Sequence, residues 1–168
     1  MSSFAPLSLY PSPVITFNIA VPSRTELVIA KTKHFMIHIL SGDVQGARLA
    51  DVFRTGNSQP AKTLGALRRT GSQVVWPEAH PGYHKDHEQP FLRGAGVLYV
   101  LRCRLLDKPF GGLVPVRDHV VVLGEILEIM DGEAEAVDGA GAPRFGLLYG
   151  DRHYRRLNGA ELNTESEE

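Results

Sequence analysis

Asp118-His119-Val120-Val121-Val122-Leu123-Gly124-Glu125-Ile126-Leu127-Glu128-Ile129-Met130 is the stretch on which the fold turns. After a polar head it is dense in Val, Ile and Leu, side chains that fit a pleated, buried surface. It falls short of the roughly 18 apolar residues a membrane helix needs, so it reads as a strand buried along most of its length. His119 opens that strand beside Asp118. A titratable ring at such a place can face a cavity and change charge near neutral pH. The bland reading is an ordinary strand-end polar residue, since a titratable group is only a probabilistic marker of a site.

The nearest companion lies upstream. Gly94 to Leu106 is a second long apolar run, in which Arg102 and Arg104 alternate with Cys103 and Leu105. Only the short segment Asp107 to Arg117, with Gly111-Gly112 and two prolines, separates the runs, and so short a connection predicts an antiparallel pair. Glu125 and Glu128 then fall opposite Arg102 and Arg104. Downstream, Asp131 to Arg144 is rich in Gly, Ala and acid and reads as a mobile loop. Its Gly139-Ala140-Gly141 is followed by no helix, so a dinucleotide fingerprint fails on context. Phe145 to Tyr149 reads as a last short strand, and Gly150 to Leu157 sets His153 and Tyr154 among Arg152, Arg155 and Arg156.

Toward the amino terminus, Pro6, Pro11 and Pro13 lead into Val14-Ile15-Thr16-Phe17-Asn18-Ile19, a run with strand character. After Pro22, Ser23 and Glu26 form the S-x-x-E pattern of a capping box, predicting a short helix to about Lys33. Two readings of that helix start are open. One is capping alone, in which loss of the Ser23 hydroxyl costs about 1 kcal/mol. The other is an anion site, in which free amides, the hydroxyls of Ser23 and Thr25, and the Arg24 guanidinium hold a phosphate. His34 to Leu40 has the alternation of a strand, largely apolar on both faces. Ser41-Gly42-Asp43 makes a turn and a cap, and Val44, Ala47, Leu49, Ala50 and Phe53 recur at helical spacing until Thr55-Gly56.

From 57 to 93 the periodicity is lost, and the segment reads as an insertion loop. It holds His80, His84 and His87, but Pro77, Pro81 and Gly82 work against one helical face carrying them, and no metal site is expected.

The chain of 168 residues fits one domain with a substantial core. Its formal net charge of -1 and pI near 6.7 give no broad basic face for nucleic acid. Cys103 is the single cysteine, which excludes an internal disulfide and a multi-cysteine zinc site and fits a reducing compartment. With no membrane span and no leader pattern, the expectation is a soluble intracellular, cytoplasmic protein. Residues 159–168 read as an acidic, disordered tail after a domain at 1–158. Short helices and many strands favour a small barrel over a doubly wound sheet.

At this point the residues carry a resemblance. Ser2-Ser3-Phe4 with Ser8-Leu9 and Pro13, Phe17-Asn18-Ile19, Pro22-Ser23-Arg24-Thr25, Phe35-Met36-Ile37-His38-Ile39-Leu40-Ser41 and Ala50-Asp51-Val52-Phe53 resemble the flavin reductase-like family. Asp118-His119 with Gly124-Glu125-Ile126, and Leu147-Leu148-Tyr149 with Tyr154-Arg155-Arg156-Leu157, continue the match in order.

The resemblance implies a mainly β fold, a split β-barrel of the Greek-key, FMN-binding type with short flanking helices. It implies a homodimer that holds FMN, with FAD as the alternative, near the subunit interface. NADH or NADPH would give hydride to the flavin, and the reduced flavin would serve a partner oxygenase. Carried onto this chain, Ser2 and Ser3 would bond the polar edge of the flavin ring, while Ser23, Arg24 and Thr25 would hold the phosphate. Asn18 and Ser41 belong to the matching segments and join the cofactor-binding set. His119 would stand near the nicotinamide or the ring as the catalytic residue, and Tyr154 with Arg155 would close the site. Family members of this type carry several dozen residues ahead of the Ser-Ser-Phe segment, where Met1 stands here. The resemblance therefore implies a shortened chain, or a short form whose barrel lacks a strand and shows an unpaired edge. His38 stands where many relatives have Asn. A non-catalytic flavin-binding or structural split-barrel protein is the second reading.

Overall fold

The run that opens at His119 is the longest strand, β8 (His119–Asp131), and the rest of the main sheet is laid along it. The computed structural model describes residues 4–54, 60–76, 89–108, 111–134 and 145–157. The main sheet has six antiparallel strands in the order β1 (Ala5–Ser8), β2 (Val14–Ala20), β8, β6 (Val97–Leu105), β3 (His34–Leu40), with β7 (Leu113–Val116) also on β8. One edge of β8 takes β2, from Val14↔Glu125 to Ala20↔His119. The other is shared by β7, from Leu113↔Val122 to Val116↔His119, and β6, from Leu105↔Gly124 to Tyr99↔Asp131.

Alternation decides which face is buried. Ile15, Phe17 and Ile19 of β2 oppose Gly124, Val122 and Val120 of β8, and these join Phe35, Leu101, Cys103 and Leu105 in the principal core. Phe17 and Phe35 meet edge to face with centroids 5.5 Å apart. Gly124 has a packing reason, since a Cβ there would stand 2.5 Å from Cζ of Phe35. Each such buried aliphatic or aromatic side chain contributes about 1.5–3 kcal/mol. The expected antiparallel pairing of β6 with β8 is present, and so are its cross-strand ions. Arg102 Nε lies 3.0 Å from Glu128 Oε2, and Arg104 Nη2 lies 2.7 Å from Glu125 Oε2. Both pairs are partly solvated, so each is worth about 0–1 kcal/mol and favours register more than stability.

The helices follow their caps. α1 (Arg24–Thr32) starts at Ser23, whose Oγ accepts from the amides of Thr25 (3.2 Å) and Glu26 (3.5 Å). It ends at Lys33, left-handed at φ 61°, whose amide bonds the carbonyl of Ile29. α2 (Val44–Arg54) starts at Asp43, whose Oδ1 accepts from the Gly46 amide (2.8 Å) and the Ser41 hydroxyl (2.9 Å).

The insertion loop expected over 57–93 needs correction. It contains α3 (Pro60–Arg69) and a hairpin of β4 (Ser72–Val75) with β5 (Phe91–Gly94). Val74, Phe91 and Leu92 of that hairpin pack on a second core of Leu49, Leu67, Val97 and Val100. Strands of four residues are too short to show a period and exist through their pairing. The run from Gly94 is also shorter than expected. Gly94 and Gly96 have φ of 102° and 82°, which turn the chain before β6 begins at Val97. The last short strand is displaced to β9 (Leu148–Gly150), and it pairs with β10 (His153–Arg155). No helix among the described residues is long and apolar enough to cross a membrane.

Candidate functional site

The site grows from the place where β2 leaves the sheet. Ala20 is the register partner of His119, and the Val21 amide donates to the Asp118 carbonyl at 2.9 Å. The next residues are Pro22, Ser23, Arg24 and Thr25, the corner that opens α1. Two segments almost a hundred positions apart in sequence are thereby tied backbone to backbone. The helix start and the mouth of β8 are one locality.

Asn18 belongs to the same face. It opposes Val121, so it stands with Ala20 and His119 on the side turned away from Phe17, Ile19, Val120 and Val122. Asn18 and His119 are diagonal cross-strand neighbours, a relation in which side chains come within about 7–8 Å. Nδ1 of His119 lies 3.0 Å from Oδ1 of Asp118, with the imidazole side chain 42% and the carboxylate 82% exposed. The hydrogen bond from His119 is the main cause holding the Asp118 carboxyl below its ordinary range.

At the corner, the Ser23 oxygen is spent on two amides, yet its O–H proton stays available to donate outward. Arg24 and Thr25 are exposed, and among the described residues Arg24 has no ion-pair partner. A helix amino terminus, two hydroxyls and an unengaged guanidinium suit a phosphate group in chemistry and charge. The donor set fits the phosphate of a flavin mononucleotide.

Ser41, Tyr154 and Arg155 are elsewhere. Ser41 bridges to Gly146 and gives its hydroxyl to Asp43. Tyr154 is buried against Ala47 and Ala50 of α2 with Leu40, Val44 and Leu147, and its ring lies 5.3 Å from that of Tyr149. Its hydroxyl is buried without a hydrogen-bond partner among the described residues. Arg155 follows in β10, opposite Leu148. By register, Ile39 faces Tyr99 and Tyr99 faces Asp131, so this group stands at the far end of β8 from His119. At about 3.3 Å per residue, the length of β8 puts some 40 Å of strand between the two ends. Ser2, Ser3, His80, His84 and His87 lie outside the described residues, as do Gly139-Ala140-Gly141 and the acidic tail. Among the described residues no group of three or more His, Cys, Asp or Glu is placed to hold a metal ion. Asp118 is the residue that sequence reasoning left without a role, although its adjacency to His119 was the available signal.

A mainly antiparallel sheet that buries one apolar face in the principal core, with an anion-suited corner at its rim, defines a small β-barrel. The flavin reductase like domain matches this chain over residues 1–158, and the chain belongs to that family. Solved structures show the same split-barrel fold. The NADH:FAD oxidoreductase of Streptomyces globisporus is 19% identical, with a TM-score of 0.60 over 92% of this chain and 74% of that one. The nitrilotriacetate monooxygenase component B homologue of Mycobacterium thermoresistibile is 22% identical, with a TM-score of 0.58 over 90% and 66%. An FMN-binding protein of Thermus thermophilus is 17% identical, with a TM-score of 0.57 over 97% and 76%.

Proposed function

We propose that this chain is a flavin reductase that binds a phosphorylated flavin at the Pro22–Thr25 corner and reduces it with NADH or NADPH. The observation that carries the reading is the joining of Ala20 to His119 and of Val21 to Asp118, which puts the anion-suited helix start beside a histidine. The bound flavin supplies the redox chemistry, accepting hydride. The chain's own residues bind and orient. Arg24, the α1 amino terminus and the hydroxyls of Ser23 and Thr25 hold the phosphate. Asn18 and His119 line the adjoining strand face, and His119 contacts the nicotinamide or the ring. Ser2 and Ser3 meet the polar edge of the ring. FMN is the favoured cofactor because the corner offers one compact phosphate cradle; FAD is the alternative.

The protein works as a homodimer. Leu9, Tyr10, Leu27 and Ile129 are each more than 60% exposed, which supports a second copy covering apolar surface. Ser41, Tyr154 and Arg155, at the other end of β8, are assigned to a flavin held by the partner subunit. Kinship with a monooxygenase component supports delivery of reduced flavin to an oxygenase.

The test is an absorbance titration of the purified chain with FMN, followed by NADH or NADPH under anaerobic conditions. Bleaching of bound flavin is the expected result; flavin that binds and is never bleached replaces this reading with a non-catalytic flavin-binding protein. Arg24→Ala is expected to weaken FMN binding about ten- to a hundredfold, as loss of a charge-assisted bond does, and to leave riboflavin binding nearly unchanged. His119→Ala is expected to slow hydride transfer more than it weakens flavin affinity.

A further inference from the structure

Neighbouring residues on a regular strand point to opposite faces, so a side-chain bond between Asp118 and His119 requires one of them to be off the strand. Asp118 is. Arg117 and Asp118 are the two-residue turn that joins Val116 of β7 to its register partner His119. Arg117 holds φ 54°, a left-handed conformation that costs a side-chain-bearing residue about 1–2 kcal/mol. Glycine is the usual occupant of the first position in a hairpin turn of this kind. The carbonyl of Asp118 is anchored by the Val21 amide at 2.9 Å, and the turn brings its carboxylate back to Nδ1 of His119 at 3.0 Å. Among the described residues, Nε2 of His119 has no hydrogen-bond partner.

We propose that Asp118 is a positioning residue: it accepts the Nδ1 proton of His119, so that Nε2 is offered to the bound ligand as an acceptor for an amide or imide N–H. This rests on the flavin reductase reading of the site. An ionised carboxylate can only accept, and its bond with His119 keeps the Asp118 carboxyl ionised to lower pH than usual. Wherever the ring is neutral, the proton is therefore on Nδ1 and the lone pair on Nε2. The nicotinamide carboxamide and the flavin imide both carry the N–H that such an acceptor reads.

Two measurements test this on the full chain. Nitrogen-15 NMR of the ligand-free protein, at a pH where the ring is neutral, reads the tautomer without any activity. The wild type should show His119 protonated on Nδ1, Asp118→Ala should move the proton toward Nε2, and Asp118→Asn, whose carbonyl oxygen still accepts, should restore the wild-type tautomer. In steady-state kinetics with a parallel flavin titration, Asp118→Ala should weaken one ligand about tenfold, the size of one ordinary hydrogen bond. A rise in KM for the nicotinamide with flavin affinity unchanged assigns the N–H to the carboxamide. A loss of flavin affinity with KM unchanged assigns it to the imide. A wild-type His119 protonated on Nε2, or an alanine variant that alters neither tautomer nor either affinity, overturns the assignment of Asp118. A wild type with the expected tautomer that neither binds flavin nor oxidises NAD(P)H overturns the flavin reductase reading and, with it, the acceptor role.

Discussion

His38 gives the sharpest prediction about stability. It lies in β3, and its Nε2 accepts the Leu92 amide of β5 at 2.8 Å, fastening the β4–β5 hairpin to the main sheet. A ring that accepts an amide N–H must be neutral at that nitrogen. Burial pushes its pKa down from 6.5 to about 4. The unfolded chain therefore takes up a proton that the folded chain refuses. The stability this represents is intact above pH 6.5 and is lost as the pH falls toward 4. Between those two values the loss grows by up to about 1.4 kcal/mol per pH unit, so at pH 5 it amounts to about 2 kcal/mol and at its limit to about 3 kcal/mol. Urea unfolding at pH 7.5 and 5.0, on the wild type and on His38→Gln, isolates the term. Gln places an oxygen where Nε2 was, keeps an acceptor and does not titrate. The other histidines and the carboxylates titrate alike in both proteins and cancel in the difference. The wild type should lose about 2 kcal/mol more than the variant. Losses equal within a few tenths of a kcal/mol, or a His38 that titrates near 6.5 by NMR, would refute the reasoning.

Other outcomes are expected from single contacts. Tyr154→Phe removes a buried hydroxyl that has no partner among the described residues, so thermal unfolding should show a gain of about 1 kcal/mol where most core substitutions lose stability. Gly46→Ala should cost 1–3 kcal/mol or more by chemical denaturation, because the new Cβ would stand 1.9 Å from the Ser41 carbonyl oxygen and backbone cannot swing aside. The phosphate selectivity of Arg24→Ala and the rate loss in His119→Ala complete the set, checked by flavin titration and by stopped-flow absorbance.

Much of the fold was legible because its signals are local. The Val- and Ile-rich run became β8, the Arg–Glu alternation gave the register of β6 on β8, and Ser23 and Asp43 cap the helices they precede. What escaped is short. β7 contains Pro115 and would read as a non-strand, yet it lies on the edge of β8, and β1, β4, β5 and β10 span three or four residues each. Segments of that length carry no period of their own; they exist because pairing satisfies their amides and carbonyls, β1 on β2, β7 on β8, and β4 with β5 and β9 with β10 as mutual partners.

The amino-acid sequence alone determined the individual pieces of the candidate site: a capped helix start with Arg24 in its first turn, and a histidine at the head of a buried strand. Caps and alternation act within about four residues along the chain, so composition and spacing suffice to read them. Only the tertiary structure decided which pieces are neighbours. The register Ala20↔His119 brings the corner and the histidine together, while the same ladder sends Ser41, Tyr154 and Arg155 to the other end of β8. Strand register is settled by which face of each strand is buried, a balance over the whole core in which a slip of one residue would turn every side chain over.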